Sequence, residues 1–165
     1  FVPLDEQDPA RWDHALIDEA ESLLARAAAA KQLGRFQLEA AVQSAHAVRR
    51  LGRVPDYSAI VLLYDALLAL TGSPVVGLNR AVALAACRGA AAGIDALDVF
   101  AGDARMVHYQ PYWAARADML SRCGETEAAR IAFERAIGLA IDPAVRAYLV
   151  SRQEGMTHGN HVGSR

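Results

Sequence analysis

From Tyr112 to Ala140 the chain reads YWAARADMLSRCGETEAARIAFERAIGLA, and no other stretch narrows the fold as far. It reads as two helices hinged at Gly124. Trp113, Ala117 and Leu120 share one stripe of the first helix, and Ala129, Phe133 and Ala136 share one stripe of the second, at intervals of three and four residues. Small residues on facing stripes let two backbones approach closely, while the aromatic residues fill the space beside them. One such hairpin cannot bury its apolar stripe alone, so the pattern demands neighbours of the same kind.

The spacing is that of a tetratricopeptide unit, and the rest of the chain supplies candidates for the neighbours. Gly52, Gly89 and Gly124 lie 37 and 35 residues apart, each where one helix of a pair turns into the next. Pro74, Pro111 and Pro143 lie 37 and 32 residues apart, each at the opening of a new helix. The competing reading is an irregular helical bundle, in which Pro and Gly end helices without any repeat. The shared phase of the two markers favours the repeat. The expected fold is therefore all-α, with tetratricopeptide-like antiparallel hairpins stacked in a right-handed superhelix of about eight helices. A single domain over 1–153 would hold a leading cap helix at 8–30, hairpins at about 36–70, 74–100 and 111–140, and a closing cap helix at 143–153. Asp8-Pro9 opens the leading helix, with Trp12, Leu16, Ala20, Leu23 and Ala27 on its inward face. Residues 101–109 read as a loop and 154–165 as a flexible tail.

Composition fits a helical scaffold. Apolar residues make up 53% of the 165, and Ala, the strongest helix former, fills 35 positions. The net charge of −2 argues against the chain binding nucleic acid by itself. No apolar run reaches membrane-spanning length. Cys87 and Cys123 form no metal or redox motif, and two free thiols fit a cytoplasmic protein. The chain begins Phe-Val-Pro with no initiator Met, which suggests a piece of a longer protein.

In stacked hairpins the first helix of each pair lines a concave groove. Alignment on the hinge glycines directs Val42, His46, Arg49 and Arg50 there from the first unit. Asn79, Ala83 and Ala86 come from the second, and Ala114, Asp118, Ser121 and Arg122 from the third. His46, Arg49, Arg50, Asn79, Asp118 and Arg122 are the candidate partner-binding residues. Asn79 would clamp a backbone amide and the arginines would pair with carboxylates, beside exposed apolar area near Val42, Ala83 and Ala114. Arg116 sits where the repeat wants an apolar residue. The plain alternative is that these side chains form a solvated face.

No catalytic, cofactor or metal site emerges. Ser44 and His46, two apart on a helix, point to different faces. His108 has no nucleophile or carboxylate beside it. The segment from Gly89 to Gly93 lacks the lysine and preceding strand of a phosphate loop. His158 and His161 sit in a tail without preorganisation. The chain therefore reads as a binding module and not as an enzyme.

Three phrases go further than the repeat. LDEQDPARWDHALIDEA (4–20), LLYDALLALTGSPVVGLNRAVALA (62–85), and HYQPYWAARADMLSRCG followed by EAARIAFERAI resemble the C-terminal helical extension of a group of bacterial extracytoplasmic-function RNA polymerase sigma factors. The resemblance covers Leu4 to Arg152, departing at Pro9 and after Arg152. It implies a tetratricopeptide-like regulatory domain in transcription initiation, lacking the promoter-binding regions. Its implied partners are the sigma regions of the same polypeptide, the RNA polymerase core or a regulator, with DNA reached only through other regions. The alternatives are a tetratricopeptide adaptor outside transcription that binds an acidic peptide, and a sensor whose groove takes a small effector.

Overall fold

The structure is a computed structural model and describes residues 1–159, with side chains to Met156. It is all-α and repeat-like. The described residues form nine α-helices: α1 (His14–Ala29), α2 (Arg35–Ala47), α3 (Tyr57–Thr71), α4 (Pro74–Arg88), α5 (Ala90–Asp98), α6 (Ala104–Val107), α7 (Gln110–Arg122), α8 (Thr126–Leu139) and α9 (Pro143–Gly159). Where the repeat spacing predicts one domain over 1–153, the chain divides into two compact units, Val2–Ala83 and a second holding Phe1 and the chain from Leu84 on.

In the second unit α7 and α8 pack as the hairpin that their spacing requires. Ala117, Leu120, Ala129, Ala132, Phe133 and Ala136 are all buried in one cluster, joined by Leu149 from α9. Each large side chain so buried contributes about 1.5–3 kcal/mol relative to exposure. Trp113 is half-buried against this cluster, and its indole donates to the Val107 carbonyl at 3.0 Å. That bond anchors α6, a single turn capped by the Asp103 carboxylate within the expected loop 101–109. The Arg135 guanidinium lies 4.3 Å from the centre of the Trp113 ring, a cation–π contact. Arg116, the residue out of place in the repeat, pairs with Asp98 of α5.

The hinge at Gly124 shows why glycine is needed there. Its φ is +79°, in the left-handed region, and Gly124 N–H donates to the Ser121 carbonyl at 3.0 Å while Glu125 N–H reaches back to Leu120 at 3.0 Å. This pair of bonds closes α7 and satisfies carbonyls that helical bonding leaves free. Gly52 and Gly89, the other two spacing markers, are also left-handed, at φ +68° and +94°.

In the first unit α2 packs on both α1 and α3. Leu38, Val42, Ile60, Val61, Leu67, Leu78, Ala81 and Ala83 are buried there. Asp56 caps α3 by accepting from Ser58 and Ala59 N–H, and Arg80 of α4 pairs with Asp65 of α3.

Three expectations need correction. Asp8-Pro9 opens only a 3-10 turn, Pro9–Arg11; Trp12 is extended, and the helix proper begins at His14 under a cap from Asp13. The inward face of α1 is rotated: Leu16 and Leu23 are exposed, while Ile17, Glu21, Leu24 and Ala27 are half-buried. The helix expected at 143–153 continues to Gly159. Of the expected tail 154–165, residues 160–165 with His161, and the side chain of His158, lie outside the described residues.

Candidate functional site

The face of α2 that opens on Arg35, Glu39, Val42 and Gln43 meets Tyr64 and Leu67 of α3 and the start of α4 around a cavity of about 390 Å³. Asn79 lines it as well, so two of the residues aligned for the groove, Val42 and Asn79, come together within the first unit. They contribute differently. Val42 is 2% exposed and belongs to the core, whereas Asn79 is exposed and its amide is open to a partner. Arg35 and Glu39 pair at 2.8 Å across one helical turn, placing a donor and an acceptor on the rim. Burial pushes the Tyr64 phenol above its ordinary value, so the hydroxyl stays protonated as a donor.

His46, Arg49 and Arg50 do not line this cavity. Arg49 donates to the Tyr57 hydroxyl at 2.8 Å, and Arg50 pairs with Asp18 of α1 at 2.6 Å. His46 stands edge-to-face on Tyr57 with ring centres 6.1 Å apart, and its Nδ1 is buried without a hydrogen-bond partner. Burial first, and then the charge of Arg49, push His46 below the ordinary histidine range, so the ring is neutral at pH 7. For Arg49 and Arg50 the reason is that α2 ends at Ala47 and Val48–Leu51 tightens into a 3-10 turn, which changes the direction of every later side chain; His46 lies before the turn, on the face of α2 toward α1. The two arginines thereby become ties inside the first unit.

In the second unit Asp118 accepts from Arg152 of α9 at 2.7 Å and pairs with Arg122 at 3.5 Å. Arg122 also donates to the Ala85 carbonyl at 3.2 Å. Both candidates are thus committed to ties within their unit. Of the residues expected beside exposed apolar area, Val42 and Ala83 are buried, and Ala114 packs against the α7–α8 cluster.

Sequence reasoning missed a second cavity in the first unit. It lies between α1 and α2, has a volume of about 440 Å³, and is lined by Trp12, Ile17, Leu24 and Ala47, with Glu21, Ser44 and His46 among its polar groups. The Ser44 hydroxyl donates to Glu21 at 2.7 Å. Glu21 lies off the apolar stripe that the sequence shows on this helix, so no sequence signal singled it out.

Among the described residues no three His, Cys, Asp or Glu side chains converge to hold a metal ion, and no helix is long and apolar enough to cross a membrane. No family model matches the chain, and no solved structure matches it. It is similar to an uncharacterized protein of Rhizobium meliloti (strain 1021), with 36% identity over 148 residues that make up 90% of this chain and 34% of that protein. The chain thus spans about a third of that relative's length.

Proposed function

We propose that the chain is the regulatory, protein-interaction domain of a cytoplasmic bacterial sigma factor, docking an extended segment of the sigma regions of the same polypeptide. The observation that supports this reading is the cavity of the first unit. It combines an apolar floor of Val42, Leu67 and Val76 with the polar rim of Arg35, Glu39, Tyr64 and Asn79. An extended segment leaves backbone amides and carbonyls unpaired, and a groove with fixed donors and acceptors above an apolar floor suits it. The phrases around Trp12 and Asn79 carry the resemblance to the sigma-factor extension, and the similar Rhizobium meliloti protein is about three times as long as the region it shares with this chain.

The docking would hold the promoter-reading regions in the arrangement that engages polymerase. Asn79 is exposed, so Asn79→Arg leaves the core intact while crowding the rim. In reconstituted transcription with the full-length protein, this variant is expected to lower promoter-dependent initiation at least about tenfold, the effect of losing about 1.4 kcal/mol of docking energy. Unchanged initiation by a folded variant would remove the groove from the account. Pull-down of the sigma regions separates this reading from an adaptor outside transcription, which would leave them unbound.

A further inference from the structure

The cavity between α1 and α2 is separate from the docking groove and independent of the sigma-factor reading. Its volume of about 440 Å³ falls in the range of roughly 300–1,000 Å³ found for small-molecule sites. The walls are mostly apolar, from Leu4, Trp12, Ile17 and Leu24. One charged group on this lining is left incompletely matched. Glu21 accepts from Ser44, yet no cationic side chain pairs with its carboxylate among the described residues. The nearby Asp18 already has its charge met by Arg50 at 2.6 Å, so Glu21 is the unbalanced charge of the site. His46 Nδ1 is buried and has no partner.

We propose that this cavity binds a small organic monocation, an ammonium group on an aromatic or aliphatic body. The ammonium meets Glu21, whose position the Ser44 hydroxyl fixes. The body fills the apolar space against Trp12, whose ring face also attracts cations. Charge complementarity selects against the other small ligands of this size. A carboxylate of the same shape would face Glu21 with like charge, and a neutral hydrocarbon would leave its carboxylate unmatched.

Trp12 lines the cavity and Trp113, the other tryptophan of the chain, lies in the second unit, so fluorotryptophan labelling gives two fluorine resonances that report the two places separately. Phenethylamine and hydrocinnamate serve as probes of matched shape and opposite charge. Phenethylamine is expected to shift the Trp12 resonance saturably and leave Trp113 in place, with hydrocinnamate inert. Glu21→Gln is expected to weaken the amine about tenfold or more, the loss of one charge-assisted hydrogen bond. Ala40→Phe, an exposed substitution at the cavity lining, is expected to abolish binding while the Trp113 resonance reports an intact fold. The proposal is overturned if phenethylamine leaves Trp12 unshifted at millimolar concentration, if the two probes shift it equally, or if both variants bind the amine as the parent protein does.

Discussion

Helices α7 and α8 and helices α1 and α2 are both neighbouring helix pairs, yet they are built on opposite principles. The α7–α8 pair puts alanine at most of its buried facing positions, with Ala117, Ala129 and Ala136 fully buried. The backbones close on each other and Phe133 fills what remains. Helix α1 buries no residue at all, and the cavity of about 440 Å³ lies between it and α2. Half-buried Ile17, Leu24 and Ala27 hold α1 together with two polar ties, the Glu21–Ser44 hydrogen bond and the Asp18–Arg50 pair. Close packing makes a rigid element with no room for a ligand. Packing through a few long polar side chains leaves room, at the expense of stability.

The contrast is most sharply tested by truncation on each side. Phe133→Ala is expected to destabilise the protein by about 3–5 kcal/mol in denaturant unfolding, because the alanine-lined site around it cannot collapse. Leu16→Ala, on the exposed side of α1, is expected to change stability by no more than about 0.5 kcal/mol. Similar losses at the two positions would break the comparison.

Backbone substitutions give a smaller effect. Gly124→Ala is expected to destabilise by about 1–2 kcal/mol, all of it from the left-handed φ, since a Cβ there meets no atom within 4 Å. Gly138→Ala, inside α8 with equally open space, is expected to stabilise by about 0.5–1 kcal/mol. A neutral result at Gly124 would remove the hinge from the account.

The smallest effect is electrostatic and belongs to α2. His46 has a folded-state pKa below its ordinary value of 6.5. Above that value both folded and unfolded chains hold a neutral ring, and its contribution is complete. As pH falls the unfolded chain takes up the proton first, and stability is lost until pH passes the lowered folded pKa. His46→Gln is therefore expected to flatten the fall in thermal midpoint between pH 7 and pH 5 relative to the parent protein. Parallel curves would place the ring in solvent.

How much of this was legible in the sequence follows the same division. The α7–α8 hairpin could be read because small residues at intervals of three and four have few other uses on a helix, and Gly124 because few residues adopt its φ. Helix α1 could not be read the same way. Ranking its residues by hydrophobicity selects Leu16 and Leu23, whereas the face turned to α2 carries Glu21, whose partner Ser44 is 23 residues away. Two aspartates offered caps within six residues, and Pro9 made Asp8 the stronger signal, although Trp12 breaks the helix after one turn. Helix α6 is too short to show a period. The groove candidates from α2 failed after Ala47 because a 3-10 turn changes the angle per residue, which alignment to a repeat does not register. Asn79, on regular helix, lines the cavity with residues of α2 and α3.

The central claim is that α1 is the loosely held helix of the first unit, and that α7 and α8 are the rigid core of the second. Amide hydrogen exchange resolved by segment measures this directly. The account predicts that α7 and α8 are the most protected helices and that α1 exchanges at least about tenfold faster, an opening free energy lower by about 1.4 kcal/mol or more. Protection of α1 equal to that of α7 and α8 would contradict it.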